Sequence, residues 1–313
     1  MKACHAAWFY CLFSVPVLAA DSDELPLDFS FIENAPGVLV DVAGTRLHVD
    51  CQGEGDITVL FEPGLGGSAF EWMPIQAELT SRAQTCIYDR AGYGWSDTSA
   101  LPRDAARLAL EADLLLSALD VDGPLLLVGH SFGGFVVRLL AQRRSEQMIG
   151  LVLVDASHED QLVRLEALTG TSMMPNGNNF VVSAIEIPEA LPSAIRRKIQ
   201  AFSRMRKTYA ALRAEMSQFR RSTDQVRLLR QQVEYPVTVI RRGLDLHVGD
   251  TDGKEKTAIW NDLQSDLALL ASDSEMVVAQ RSGHHVHTDQ PDLVVTSLLS
   301  LLDKYEQSQQ PLK

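Results

Sequence analysis

Short runs of consecutive apolar residues alternate with longer segments of helical hydrophobic spacing along this 313-residue chain. The runs include "ITVLFE", "PLLLVGH", "GLVLVDA" and "PVTVIRR", and the helical segments include "RDAARLALEADLLLSALDV" and "PDLVVTSLLSLLDKY". Strands that are apolar along their whole length are typical of parallel sheets buried under helices on both faces. The pattern therefore predicts the α/β class, with a mostly parallel central sheet and helices on both faces.

One long segment breaks this alternation. Residues 158–234 contain no convincing strand and are helical in composition. From 158 to 233 there are 12 Lys and Arg against 7 Asp and Glu, although the whole chain has a net charge of −13. We predict a helical lid inserted into a core made of residues 37–157 and 235–313. Apolar lid residues are expected to pack on the core and to supply part of a pocket wall: Met173, Met174, Phe180, Phe202, Met205, Tyr209, Met216 and Phe219.

The first 20 residues, "MKACHAAWFYCLFSVPVLAA", resemble a secretory signal peptide, with one early Lys, an apolar run and small residues at the end. An uncleaved anchor is the alternative. Residues 21–36 are acidic and predict a linker. We expect an exported protein, periplasmic or secreted, with no stable membrane insertion after the leader is cleaved. The negative net charge argues against nucleic acid as a partner.

Two cysteines, Cys51 and Cys86, lie outside the predicted leader. An even number in an exported protein permits a disulfide bond. On the count alone, two buried free thiols explain them equally well.

Candidate chemistry begins with "VGHSFGG", residues 128–134, which contains the pattern Gly-x-Ser-x-Gly around Ser131. The pattern alone occurs often by chance, but here an apolar strand precedes it and a helical segment follows. A tight strand-to-helix turn raises the serine hydroxyl above the sheet, and the next helix aims its first amides at any developing negative charge. Ser131 is therefore a candidate nucleophile, and it needs a base. The loop "SGHHVHTDQP", residues 282–291, follows the last strand and offers one.

The order of "FEPGLGGS", "YDRAGYGWSD", "GHSFGG", "LVLVDAS" and "SGHHVHTDQP" resembles the α/β-hydrolase family, in its serine branch with a helical lid. The resemblance implies that Ser131 is the nucleophile and His284 the base. It implies an oxyanion hole made by the backbone N–H groups of Leu65 and Phe132. Many relatives carry His-Gly before this loop, whereas this chain has Pro-Gly, so its side-chain support is an open question.

The same resemblance implies two structural features. The segment 89–96, "DRAGYGWS", is interpreted mainly as a structural loop near the site. The strand order of the family would place Cys51 and Cys86 on adjacent strands, which favours a disulfide bond between them.

The acid that orients the base has two main candidates, because the family places it after either of two strands. Asp155 follows the apolar run of "GLVLVDAS", and Asp245 is the last residue of "VTVIRRGLD", at an unusual spacing of two residues after Gly243. Asp250 and Asp252 lie further along. We favour Asp155, which sits at the tip of its strand, with Asp245 as the alternative.

A rival reading concerns His285, His287 and Asp289, whose spacing matches the metal-ligand pattern His-x-His-x-Asp. Gln290 follows, and no second His or Cys cluster at ligand spacing occurs in the sequence. We therefore expect no metal and no cofactor.

The function that these residues predict is acyl transfer: hydrolysis of a small carboxylic ester through an acyl-enzyme intermediate. The alternatives are an amide or peptide hydrolase of aminopeptidase type and a non-catalytic binding protein on the same scaffold. Relatives that act on halides or epoxides use a carboxylate at the elbow, whereas this chain has Ser131. The expected partner is a small-molecule ester or amide substrate.

Overall fold

The computed structural model describes residues 33–99, 102–174, 185, 187–229 and 232–310. The predicted signal peptide, residues 21–32 of the predicted linker and Phe180 of the predicted pocket wall lie outside the described residues.

Eight strands form one sheet in the order β1-β2-β4-β3-β5-β6-β7-β8. β2 pairs antiparallel with β1 and β4, and every other pairing is parallel. The predicted α/β class with a mostly parallel sheet is confirmed. The strands are β1 (Val38–Val42), β2 (Thr45–Gln52), β3 (Thr58–Glu62), β4 (Gln84–Tyr88), β5 (Leu125–His130), β6 (Met148–Val154), β7 (Val237–Arg242) and β8 (Ser274–Ala279).

Helices cover both faces of the sheet, and each face has its own apolar layer. One layer joins β3 and β5 to α1 and α10 through Ile75, Leu298 and Leu302. The opposite layer joins the sheet to α2 and α3 through Leu115 and Val137. The helices of the core are α1 (Met73–Leu79), α2 (Ala105–Ala118), α3 (Gly133–Arg143), α8 (Gly253–Ala268), α9 (Val286–Asp289) and α10 (Pro291–Ser308).

Among the described residues between β6 and β7, the regular elements are helices joined by turns and loops, with one isolated bridge between Val233 and Ala271. Its helices are α4 (Gln161–Thr169), α5 (Ser193–Ser203), α6 (Arg206–Ser217) and α7 (Phe219–Arg227). We call residues 158–234 the helical insertion. Within the described ranges, the chain has no helix that combines the length and the apolar character needed to cross a bilayer.

Cys51 and Cys86 face each other across β2 and β4 and form a disulfide bond, with their Cα atoms 4.1 Å apart. The strand order that brings them together is the one that the family resemblance implies. The bond closes a loop with a sequence separation of 35 residues on the antiparallel side of the sheet.

One local expectation needs correction, because the loop predicted after the last strand contains the short helix α9. Between β3 and α1, residues Ala69–Trp72 form a 3-10 turn that leads directly into α1.

Candidate active site

Ser131 occupies a sharp turn between β5 and α3. Its φ angle is +50°, in the left-handed region that a residue with a side chain seldom adopts. Its amide donates to the Val154 carbonyl at 3.1 Å, and its carbonyl accepts from the amides of Gly134 and Ser157, both at 2.9 Å. A strained conformation held by three backbone hydrogen bonds is typical of a functional site.

The two glycines of the motif are required by close packing. A Cβ on Gly129 would lie 2.5 Å from Val137 Cγ2, and one on Gly133 would lie 2.5 Å from the Glu62 carbonyl oxygen. A side chain at either position would push α3 away from the sheet. The glycines therefore permit the tight crossing that lifts Ser131.

His284 and Asp155 form a hydrogen-bonded pair beside this turn. The His284 Nδ1 atom lies 2.7 Å from Asp155 Oδ2. Asp155 ends β6, is fully buried, and has a φ angle of +40°, with its amide bonded to the Ile240 carbonyl at 2.7 Å. Because a carboxylate accepts from Nδ1–H, this contact leaves Nε2 of a neutral His284 as the free lone pair.

Two further residues, with three donor groups between them, hold the carboxylate of Asp155. Arg242 donates from Nη1 to Oδ2 at 2.7 Å and from its backbone amide to Oδ1 at 3.1 Å. Trp260 donates from Nε1 to Oδ1 at 2.9 Å. The guanidinium of Arg242 also lies over the Trp260 ring, 4.4 Å from its centroid. Both carboxylate oxygens are therefore fully engaged in a dry environment.

The ionisation of the pair follows from these contacts. Burial alone would raise the pKa of Asp155, but the Arg242 cation and the hydrogen bonds from His284 and Trp260 lower it below its ordinary value. Burial lowers the pKa of His284, and Asp155 only partly opposes that effect. At neutral pH the pair is an ionised carboxylate and a neutral imidazole, which is the state that a general base requires.

Asp245 lies elsewhere. Its Oδ1 atom accepts from Thr257 Oγ1 at 2.6 Å and from the His247 amide at 2.8 Å, at an exposed position. Of the two favoured candidates for the acid, the structure therefore brings Asp155 and not Asp245 to His284. Asp250 and Asp252 both pair with Lys256.

The loop after β3, residues 63–68, lies against the turn of Ser131. We call it the β3 loop. A Cβ on Gly64 would lie 3.2 Å from the Cβ of Ser131, and Leu65 lines the same pocket as the serine. Phe132 is the N-cap of α3, so its amide belongs to the helix N-terminal N–H groups that have no partner within the helix. The two predicted oxyanion donors thus flank Ser131.

Arg90 supports the β3 loop, in which this chain has Pro63-Gly64 where many relatives carry His-Gly. Its guanidinium donates to the carbonyls of Pro63 and Gly64 at 2.7 and 2.8 Å. It also binds the buried carboxylates of Glu62, at 2.7 Å, and Glu215, at 2.9 Å. The segment 89–96 therefore does more than fill space, because it fixes the backbone that carries Leu65.

Glu215 belongs to α6, so this network also attaches the helical insertion to the core. Its carboxylate accepts from Arg90, from Arg103 at 3.1 Å and from Tyr93 at 2.9 Å, and all of these side chains are buried. Two guanidinium groups neutralise Glu215 and keep its pKa low in spite of burial.

A pocket of about 70 Å³ contains the candidate residues. Ser131, His284, Leu65 and Trp260 line it together with Glu71, His130 and His285. Two of the insertion residues predicted to form the pocket wall, Met174 and Phe219, line this pocket. A third, Phe202, packs in a separate apolar cluster. A larger cavity of about 520 Å³ lies by Arg138 and Tyr235, and the described residues that line it include no histidine.

Four residues of this site escaped the sequence reasoning: Arg90, Arg242, Trp260 and Glu71. Only Arg90 had a local signal, since it lies in a segment already singled out. The other three reach the site from separate elements through the fold, so no spacing in the sequence connects them with Ser131 or His284.

The sheet order, the turn at Ser131 and the buried Asp-His pair together define a hydrolase-type site on an α/β sheet. A family model described as "Alpha/beta hydrolase family" matches residues 59–297. The chain belongs to the α/β-hydrolase family, as the motifs indicated.

The chain is also similar to individual proteins. The uncharacterized protein YqjL of Bacillus subtilis is 27% identical over 260 residues, covering 81% of this chain and 87% of its own. A thermophilic esterase from Thermogutta terrifontis has a TM-score of 0.63 at 19% identity, over 86% of this chain and 99% of its own. An epoxide hydrolase from Vigna radiata has a TM-score of 0.63 at 16% identity, over 87% and 99%. At these identities the two structures show the shared fold alone.

Proposed function

We propose that the protein is a serine hydrolase that cleaves small carboxylic esters through an acyl-enzyme intermediate on Ser131. The observation that carries the proposal is the 2.7 Å contact between His284 Nδ1 and buried Asp155, in a pocket whose wall also contains Ser131. A serine hydroxyl is a weak nucleophile unless a base takes its proton, and His284 is the neutral imidazole available for that task.

The reaction proceeds in two halves. His284 accepts the proton of Ser131 as the serine oxygen attacks the ester carbonyl, and Asp155 stabilises the resulting imidazolium. The amides of Leu65 and Phe132 donate to the oxyanion, an effect worth about 10²–10³ in rate for one donor. His284 then protonates the leaving alcohol. Water, deprotonated by the same imidazole, attacks the acyl-serine and releases the acid and free Ser131.

The residue at the elbow supports this reaction over epoxide opening. Although the fold is shared with an epoxide hydrolase, Ser131 supplies a hydroxyl where a carboxylate nucleophile would be needed. The confined pocket supports a small acyl group.

An amide or peptide N-terminus is the second candidate substrate, and one observation favours it. The carboxylate of Glu71 lines the pocket and would attract an ammonium group. That carboxylate already accepts from the Ser68 amide at 2.9 Å and from His287 Nε2 at 3.0 Å, so an ester is the better-supported substrate.

The test is a fluorophosphonate probe followed by intact mass. The wild-type protein and Ser157→Ala, a matched change in the same pocket wall, should each gain one adduct. Ser131→Ala should gain none. Absence of an adduct on folded wild-type protein would refute the proposal and favour a binding protein. Rates on p-nitrophenyl esters and on aminoacyl p-nitroanilides then separate the two substrate classes.

We further infer that the protein acts outside the cytoplasm. The disulfide bond between Cys51 and Cys86 supports this location, because such bonds persist in oxidising compartments. N-terminal sequencing of the protein recovered from the periplasm and medium tests it, with cleavage near residue 20 expected. Recovery of the uncleaved chain in the membrane fraction would contradict it.

A further inference from the structure

A cluster of metal-ligand side chains lies beside the candidate triad and takes no part in the proposed reaction. One carboxylate and three imidazoles offer donor atoms that all lie within 4.8 Å of one another: Glu71, His130, His285 and His287. The sequence predicts no metal, because Gln290 follows the His-x-His-x-Asp pattern and no second His or Cys cluster occurs at ligand spacing. The fold nevertheless brings Glu71 and His130, from distant parts of the chain, beside His285 and His287.

The tautomer of His130 leaves a donor atom ready. Its Nε2 atom lies 3.0 Å from the carbonyl oxygen of His284, so Nε2 carries the hydrogen and Nδ1 has a bare lone pair. Nδ1 is buried and has no hydrogen-bond partner among the described residues. A Cβ on Gly64 would lie 2.8 Å from it, so the missing side chain at Gly64 leaves the space beside Nδ1 open.

His287 turns one ring nitrogen toward the carboxylate of the cluster. Its Nε2 atom lies 3.0 Å from Glu71 Oε2, so Nε2 is the nitrogen that would bind a metal ion shared with Glu71, after loss of its hydrogen. Its other nitrogen, Nδ1, is buried without a hydrogen-bond partner in the described part of the chain. The buried lone pair of His130 Nδ1 is costly unless water or a metal ion contacts it.

The donor set and its spacing fit a divalent transition metal. Imidazole nitrogen and carboxylate oxygen bind Zn²⁺ at about 2.0–2.2 Å, so tetrahedral ligands lie roughly 3.4 Å apart. Side-chain rotations would have to bring donor atoms that lie within 4.8 Å of one another to that spacing. The set lacks the all-oxygen character that Mg²⁺ and Ca²⁺ prefer.

We propose that this cluster is a binding site for one divalent transition-metal ion of the Zn²⁺ type. The ion is structural and links three parts of the site. Glu71 follows the β3 loop, His130 precedes the candidate nucleophile, and His285 follows the candidate base. The ion therefore cross-links three segments that otherwise contact one another only through packing. This role is independent of whether Ser131 is a nucleophile.

The test uses the full chain freed of metal by EDTA and then supplied with zinc chloride. After gel filtration, elemental analysis should find one zinc per chain, and the melting temperature should rise by about 5 °C at a zinc concentration of 100 times Kd. Cobalt chloride should give the intense visible absorption of a tetrahedral site. Substoichiometric zinc in the wild-type protein would overturn the proposal, with buried water as the occupant.

Variants locate the site. Glu71→Gln and His287→Asn should each weaken zinc binding roughly 100-fold or more. His285 is less buried, so His285→Asn is the variant to measure if circular dichroism shows that the other two do not fold. Asp289→Asn is the matched control, because Asp289 binds Ser282 Oγ at 2.9 Å and lies outside the cluster. Equal zinc retention in Glu71→Gln, or loss in Asp289→Asn alone, would refute this set of ligands.

Discussion

Replacing Asp155 with Asn tests the proposed chemistry most directly, because each carboxylate oxygen has a different set of donors. Oδ1 accepts from the Arg242 amide and from Trp260 Nε1, and Oδ2 accepts from Arg242 Nη1 and His284 Nδ1. An Asn side chain has one acceptor oxygen and one donor NH₂ group. With its oxygen in the Oδ1 position, the NH₂ group faces His284 and forces Nδ1 to become the acceptor.

The consequence is the wrong tautomer of His284. Its Nε2 atom then carries a hydrogen and no longer accepts the proton of Ser131. The same change in a serine protease triad lowers kcat by about 10⁴, which corresponds to roughly 5.5 kcal/mol of transition-state stabilisation. We expect a loss of that size in Asp155→Asn, with little change in KM for a small ester.

Stability has to be measured in the same experiment. Asp155→Asn removes the charge that pairs with buried Arg242, and breaking a buried pair costs about 3–5 kcal/mol of the 5–15 kcal/mol typical of a domain. The assay is hydrolysis of p-nitrophenyl acetate, with circular dichroism and thermal melting on the same samples. Asp245→Asn is the matched control and should stay within about threefold of wild-type kcat, because Asp245 is exposed and its hydrogen bonds go to Thr257 and the His247 amide rather than to His284.

A folded Asp155→Asn variant that retains kcat within tenfold of wild type would refute the role of Asp155 as the acid. Loss of activity in Asp245→Asn instead would transfer the role of the acid to that residue. Loss in both variants with unfolding in neither would mean that neither contact alone defines the triad.

Three further predictions follow from the same contacts. Arg242→Met should move the acid limb of kcat/KM to higher pH, since Arg242 lowers the pKa of His284 and the base acts in its neutral form; a pH-rate profile whose limb stays in place would contradict this. Reduction of the Cys51–Cys86 bond, checked by intact mass, should lower the free energy of unfolding in urea by about 4 kcal/mol for a loop of 35 residues, and an unchanged midpoint would refute it. Glu215→Gln should lower the free energy of unfolding by about 3–5 kcal/mol. It should also raise KM, because the guanidinium of Arg90, which holds the β3 loop, loses a partner. Normal melting and kinetics would show that the buried network is dispensable.

Much of the fold and half of the candidate site were predictable because their determinants are local. The apolar runs of β5 and β6 demand a strand buried on both faces, and the glycines around Ser131 permit the turn that follows. The family resemblance implied His284 as the base, from its place after the last strand and next to a glycine. Short elements such as α9 were missed, since four residues carry too little periodic signal.

The sequence by itself determined the class of sheet, the position of the turn at Ser131 and the segment that holds His284, because neighbouring residues specify each of these. The tertiary structure alone decided that Asp155 and not Asp245 binds His284, across 129 positions of the chain. It also decided that Arg242 binds Asp155 and that Glu71 meets His287, 216 positions away. These contacts depend on strand order and helix packing, which bring together the ends of different elements, and no local pattern of side chains encodes such a meeting.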